Sequence, residues 1–158
     1  MDDMKGRGFT LIELLVVIGI IVILFSIVLI AVDPARRFAQ SRNANRFEDV
    51  RDLVEAVLTY MTDNGGNYPS GIDAITTSSQ VLGTATTGCD TTCTATTTVS
   101  SCLDLSSALV GGYIAEIPKD LKSGTVSNTD YALNKDADGR IRVTSCDPEL
   151  GVGISVAR

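Results

Sequence analysis

Residues 9–32 read FTLIELLVVIGIIVILFSIVLIAV, and this stretch decides the fold class of the chain. Only Thr10, Glu13, Gly19 and Ser26 interrupt the run of apolar residues. As a helix the run would be about 36 Å long, enough to cross the hydrocarbon core of a bilayer with some tilt. A helix buried in a soluble domain is rarely apolar on every face over such a length. The stretch therefore predicts a membrane-spanning helix.

A general secretory signal peptide is the other interpretation of an apolar N-terminal segment. Such signals have an apolar region of about 7–15 residues, followed by a cleavage site made of small residues. Here the apolar run is longer, and it is followed by the sequence DPARR at 33–37. The small residue that could mark a cut lies before the run, at Gly8.

The segment 5–14, KGRGFTLIEL, resembles the leader junction of type IV pilins and of type II secretion pseudopilins. In that family Lys or Arg and then Gly precede the sequence F-T-L-x-E. The resemblance implies a leader of residues 1–8 and cleavage between Gly8 and Phe9 by a prepilin peptidase. It also implies methylation of the new amine of Phe9. Translation from Met4 instead of Met1 would shorten the leader without moving the cut.

Glu13 places a carboxylate about 6 Å beyond the start of the apolar helix. Charged groups in membrane helices are costly and usually have a partner or a function. One interpretation is a tolerated glutamate that reaches the membrane interface. The other, implied by the resemblance, is an assembly contact between Glu13 and the charged amine of Phe9 on a neighbouring subunit. Such a pair would define axial register, because apolar helix surfaces slide past each other with little penalty.

The composition argues against an enzyme and against a nucleic-acid-binding protein. The 158 residues include no His, the commonest general base and metal ligand. The net charge is −6, and no basic stripe with interleaved aromatic residues is present, so no contact with nucleic acid is predicted. We expect no catalytic residue. A membrane-tethered extracytoplasmic binding protein is the remote alternative.

Residues 33–63 predict an amphipathic continuation of the helix. Asp33 and Pro34 should kink or locally unwind it without ending it. Beyond them, apolar residues recur at three- and four-residue spacing and form one stripe. The stripe consists of Phe47, Val50, Leu53 or Val54, Val57, Leu58 and Met61. It ends at the helix stop Asn64-Gly65-Gly66, after which residues 64–158 would form a globular head.

The charges around the span support two opposite orientations. Five arginines follow it, and only Lys5 and Arg7 precede it, so a positive-inside count places the head in the cytoplasm. These arginines are Arg36, Arg37, Arg42, Arg46 and Arg51. The resemblance, however, implies a leader that faces a cytoplasmic-side peptidase, and the cysteines favour an oxidising compartment. We therefore predict a single pass in the inner membrane, N-in and C-out.

Thr and Ser dominate residues 76–101, which predicts a surface loop in the head. The loop holds Cys89 and Cys93, whereas Cys102 follows it and Cys146 is distant. A zinc site would need four compact ligands, so disulfides are the favoured interpretation, with free thiols as the remaining alternative. Four cysteines allow three pairings. We favour Cys89–Cys93 with Cys102–Cys146, of which the second would stabilise the head by closing a long loop.

The remainder of the head predicts a short helix at 103–113 and a β-hairpin at 130–144. Between them, YIAEIPKD at 113–120 resembles an element of major pseudopilins, with Leu121 where Pro is usual. Asp136 and Asp138 lie in the hairpin turn. They either shape the turn alone or also bind calcium, which takes hard oxygen ligands of this kind.

These observations predict an α+β pilin fold, in which a long N-terminal helix packs on a small antiparallel sheet. The function that the resemblance implies is structural. The chain would be the major pilin of a homopolymeric helical filament (fimbrium), assembled by a cytoplasmic ATPase and an inner-membrane platform protein. The alternative within the family is a type II secretion major pseudopilin that acts in protein export.

Overall fold

The computed structural model describes residues 8–93 and 98–158. Residues 1–7 of the predicted leader and residues 94–97 of the predicted Thr/Ser-rich loop lie outside the described residues. The chain divides into two compact units, Met1–Phe38 and Ala39–Arg158. The first holds the apolar helix, and the second holds the head.

The long N-terminal helix is present as two segments, α1 (Leu11–Val32) and α2 (Pro34–Asp63). Asp33 separates them with a left-handed backbone, φ 45° and ψ 75°. Its carboxylate accepts the amide hydrogen of Arg36 at 3.3 Å. Pro34 suits the first position of a helix, where an amide hydrogen would have no partner within the helix. The break therefore falls where the sequence predicted a local distortion.

The head contains a four-stranded antiparallel sheet in the order β1-β2-β3-β4. The strands are β1 (Gln80–Val81), β2 (Tyr131–Lys135), β3 (Ile141–Ser145) and β4 (Ser155–Ala157). Strands β2 and β3 pair from Tyr131↔Ser145 to Lys135↔Ile141 and form the expected hairpin. The short helix α3 (Ser106–Leu109) lies within 103–113 but is shorter than predicted.

One face of α2 packs on this sheet and forms the core of the head. The buried α2 residues Val50, Leu53, Val54 and Val57 are at most 1% exposed. They belong to one cluster with sheet residues that include Tyr131, Leu133, Ile141 and Val143. The predicted α+β fold is thus confirmed. Phe47 is the exception in the predicted stripe, because half of it remains exposed.

A buried ion pair joins α2 to the segment after Pro118. Arg46 and Asp120 are 1% and 2% exposed. The guanidinium donates two hydrogen bonds to the carboxylate, through Nε to Oδ2 and through Nη2 to Oδ1. The backbone amides of Lys122 and Ser123 also donate to Asp120, at 2.8 and 3.1 Å. Burial alone would raise the pKa of Asp120, but these hydrogen bonds outweigh it and lower the pKa.

Glu149 extends the pair into a charge cluster. Its carboxylate accepts hydrogen bonds from Arg42 at 2.6 and 2.8 Å and from Arg46 at 2.9 Å. Lys122 lies 3.3 Å away. The hydrogen bonds from Arg42, and then those from Arg46, lower the pKa of Glu149 well below its ordinary value. Two arginines that the sequence analysis counted as charges near the membrane are therefore bound to carboxylates of the head.

Both disulfides differ from the predicted pairing. Cys89 is bonded to Cys102 and Cys93 to Cys146, with Cα–Cα distances of 5.4 and 4.5 Å. The predicted Cys89–Cys93 and Cys102–Cys146 pairs are therefore wrong.

The reason for the different pairing is the path of the backbone around the sheet. Residues 98–103 return alongside β1, where the amide of Leu103 donates to the carbonyl of Val81 at 2.7 Å. The amide of Cys89 likewise donates to the carbonyl of Ser100 at 3.0 Å, which brings Cys102 beside Cys89. The side-chain amide of Asn128, shortly before β2, donates a hydrogen bond to the hydroxyl of Thr92. This hydrogen bond holds Cys93, the next residue, close to the start of β2.

The Thr/Ser-rich stretch 76–101 is more than a surface loop. It contains β1, and Val81, Leu82 and Cys89 in it are fully buried. Val81, three of the cysteines and Ala132 form a second, smaller core, with Cys102 packed against it. This core is not visible in the sequence because its apolar residues are few and small and lie far apart along the chain.

Candidate processing and assembly site

The predicted cleavage point lies just before α1. Gly8, Phe9 and Thr10 are exposed and not helical, and the first helical residue is Leu11. A Cβ added to Gly8 would meet no atom of the described chain within 4 Å, so packing within the chain does not require a glycine here. Phe9 is 80% exposed. Cleavage between Gly8 and Phe9 stays a prediction, and the geometry leaves this peptide bond accessible.

Glu13 has a role within its own chain that the sequence analysis missed. Thr10 is the N-cap of α1, and its hydroxyl accepts the amide hydrogen of Glu13 at 3.3 Å. The amide and the hydroxyl of Thr10 both donate to Oε2 of Glu13, each at 2.8 Å. This reciprocal arrangement is a capping box, which satisfies amide groups that the first turn leaves without helical partners. The motif T-x-x-E before an apolar run was the signal that could have revealed it.

The capping box leaves part of the carboxylate unused. Both donors of Thr10 bind Oε2, and within the described residues no hydrogen bond reaches Oε1 of Glu13. A carboxylate oxygen can accept from a charged amine while the other oxygen caps the helix. Capping within the chain and pairing with a neighbouring chain are therefore compatible.

The surface of α1 is apolar in every direction. None of the residues Leu11–Val32 is buried, and their large apolar side chains are between 46% and 83% exposed. Among the described residues, one helix is long and apolar enough to cross a membrane. The hydroxyl of Ser26 donates to the carbonyl of Val22 at 2.8 Å, so this polar group is satisfied inside the helix. Glu13 is the ionisable residue of α1.

A non-helical stretch at residues 8–10 leads into the capped start of a long apolar helix. Residues 3–29 match the prokaryotic N-terminal methylation motif. The chain carries an N-terminal methylation motif. This motif is typical of the leaders of type IV pilins and pseudopilins, and together with the apolar helix it fits membrane anchoring before assembly. No curated protein and no solved structure matches the chain.

The match covers residues 3–29 alone, and the head is described by its own geometry. Asp136 and Asp138 lie in the turn between β2 and β3, where each carboxylate faces a different arginine. Asp136 is 3.3 Å from Arg142, and Asp138 is 3.2 Å from Arg140. Within residues 8–93 and 98–158, no three His, Cys, Asp or Glu side chains are grouped to hold a metal ion. Calcium binding at this turn stays a hypothesis.

We expect calcium to leave the thermal stability of the protein unchanged. The two carboxylates are engaged by arginines, and a calcium ion normally takes six to eight oxygen ligands. The measurement is the melting temperature of the detergent-purified protein with millimolar calcium, with magnesium as the control. A rise specific to calcium that disappears in the Asp136→Asn variant would show instead that the turn is a calcium site.

Proposed function

We propose that this protein is the structural subunit of a type IV pilus-like filament. Its precursor is cut between Gly8 and Phe9 by a prepilin peptidase, and the mature subunit waits in the inner membrane until it polymerises. The observation that carries the proposal is α1, an apolar helix of 22 residues with a pilin-type leader and no buried residue. The function requires no catalytic residue.

The exposed apolar surface of α1 must be shielded from water both before and after assembly. Soluble monomers rarely expose an apolar patch larger than a few hundred Å². Before assembly, lipid can cover α1, because a helix satisfies its own backbone hydrogen bonds. After assembly, the cover is α1 of other copies in the filament. A homopolymer therefore keeps the same surface out of water in both states.

Glu13 supplies the polar contact in this packing. In the proposed filament, its carboxylate accepts from the amine of Phe9 on a neighbouring subunit while it still caps α1. That amine has an ordinary pKa of about 8 and is largely charged at neutral pH. It exists at Phe9 only after the leader is removed, so cleavage permits assembly.

The charge cluster of the head supports the N-in, C-out orientation. Arg42 and Arg46 are bound to Asp120 and Glu149, so they are less free to interact with lipid head groups than the positive-inside count assumed. Both disulfides of the head also suit an oxidising compartment on the outer side of the inner membrane.

A type II secretion pseudopilin is the second candidate. It is favoured by the element at 113–120, whose final residue, Asp120, is the buried partner of Arg46. We expect the protein in long filaments that shear from the cell surface, visible by electron microscopy and by immunoblot of the sheared fraction. Protein confined to the membrane fraction, together with a loss of protein export on deletion, would favour the pseudopilin.

The first test of the proposal is the mass of the mature subunit. We expect the chain that starts at Phe9, with one added methyl group on its amine. Mass spectrometry of the N-terminal peptide from purified membranes measures it. Cells that lack the prepilin peptidase are the control, and they should retain the uncut chain. A mature chain that keeps residues 1–8, or that begins after Val32, would contradict the proposal.

A further inference from the structure

Phe47 and Arg51 are two exposed residues of α2 that do not belong to the core of the head. Phe47 continues the apolar stripe of α2 in sequence, yet it is 50% exposed and lies outside the core cluster. Arg51 follows four residues later on the same helix face and is also exposed. Within the described residues, Arg51 forms no ion pair. The pair thus offers an apolar ring next to an uncommitted positive charge.

The other exposed phenylalanine of α2 is a poorer candidate for such a contact. Phe38 is 65% exposed, and the residue four positions later is Arg42. The guanidinium of Arg42 is bound to Glu149 by two hydrogen bonds. Phe47 is therefore the exposed ring of α2 whose neighbouring arginine is available to a partner.

The head carries a groove with complementary properties. Its volume is about 250 Å³, and its lining is mainly apolar. The apolar lining residues are Leu103, Leu105, Val110, Ile117 and Val126. Val110 and Val126 are 41% and 67% exposed, so the described residues 8–93 and 98–158 leave this part of the lining open. Pockets for small molecules usually begin at about 300 Å³, and a volume below this suits one or two side chains.

Two carboxylates give the groove a negative charge. Asp104 and Glu116 both line it. The side chain of Asp104 accepts the amide hydrogen of Ser106 at 2.9 Å, and the hydrogen bonds from Ser106 lower its pKa. Glu116 is exposed, and within the described residues it forms no ion pair. The groove therefore matches the Phe47–Arg51 pair in both hydrophobicity and charge.

We propose that Phe47 and Arg51 of one copy dock into this groove of a second copy, with the ring against the apolar lining and Arg51 beside Glu116. Neither Phe47 nor Arg51 lines the groove, so the contact joins two different patches. Contacts of this kind between identical chains extend into open filaments when the rotation does not close a ring. The inference rests on the proposed function and adds a contact between heads to the contacts of α1.

The test is a charge-swap experiment on the full-length protein in its own cells. The variants are Arg51→Glu, Glu116→Arg and the double variant, each measured as the amount of sheared filament relative to processed subunit in the membrane. We expect each single variant to reduce the filament yield at least about five-fold. The double variant should recover most of the yield, because it restores an opposite pair. Phe47→Ala should also reduce the yield, whereas Phe47→Leu should keep most of it.

Asp63→Arg is the matched control for Glu116→Arg. Asp63 is an exposed carboxylate at the end of α2, away from the groove, and a positive charge is favourable at a helix C-terminus. Wild-type yields from both single variants, or a double variant no better than the singles, would overturn the inference and leave the proposed function standing. A wild-type protein that forms no filament would reject the proposed function and the inference with it.

Discussion

The Glu13→Gln variant is expected to be processed normally and to lose at least about thirty-fold in filament yield. Glutamine at this position can still accept hydrogen bonds from Thr10, so the capping box and the start of α1 should survive. It cannot carry the charge that the amine of Phe9 requires. In an apolar helix bundle an amine left without its counterion is costly, because no water replaces the lost partner. The measurement is sheared filament per processed subunit.

Two further variants separate the charge of Glu13 from its capping role. Glu13→Val loses both, and Thr10→Ala loses a cap while the carboxylate stays. If the charge matters most, Gln and Val should assemble equally badly, and Thr10→Ala should assemble much better than either. If Glu13 only caps α1, Gln should assemble like wild type and Thr10→Ala should be the weaker variant. That second pattern would contradict the proposed register contact.

The Arg46→Met variant is expected to destabilise the head by about 3–5 kcal/mol, because it leaves the carboxylate of Asp120 buried without its partner. Methionine approximates the length of the arginine stem, so the loss would come mainly from the charge and its hydrogen bonds. Urea unfolding of the detergent-purified protein, followed by circular dichroism with the disulfides intact, measures the free energy of unfolding. A value within about 1 kcal/mol of wild type would contradict the expectation.

Arg140→Met is the matched control for this measurement. Arg140 also pairs with an aspartate, but its side chain and that of Asp138 are 58% and 77% exposed. Exposed ion pairs contribute between about 0 and 1 kcal/mol, so this variant should unfold close to wild type. Combining Arg46→Met with Asp120→Asn should recover part of the lost stability. The asparagine can still accept the amide hydrogens of Lys122 and Ser123 without leaving a buried charge.

The parts of the fold that were predicted correctly depend on residues close together in sequence. The apolar run predicts α1, the spacing of Val50, Leu53 and Val57 predicts the face of α2 that packs on the sheet, and the D-G turn predicts the β2–β3 hairpin. Each of these signals lies within one continuous helical segment or across one tight turn. The capping box of Thr10 and Glu13 is of the same kind and could have been recognised from its spacing.

The parts that were missed depend on contacts between distant residues. The pairing of Cys93 with Cys146 joins residues that are 53 apart in sequence, and the path of residues 98–103 along β1 brings Cys102 beside Cys89 instead. From the sequence, Arg46 was only one of the positive charges after the membrane span. Its partner Asp120 was only the last residue of the segment at 113–120. Periodicity placed Phe47 in the apolar stripe, but at this turn of α2 the buried residue is Arg46, which a pattern of apolar residues does not identify.

The sequence by itself determined that this chain carries an N-terminal methylation motif and an apolar helix that must be shielded from water, and it predicted an α+β head. Those conclusions rest on hydrophobicity and on short motifs, which act locally and do not depend on the rest of the fold. Only the tertiary structure decided which cysteines pair, which arginines are bound in the head and which apolar residues stay exposed. The physical reason is that disulfides, buried ion pairs and grooves form between side chains that are distant in sequence. The path of the backbone determines which of these side chains come close together in space.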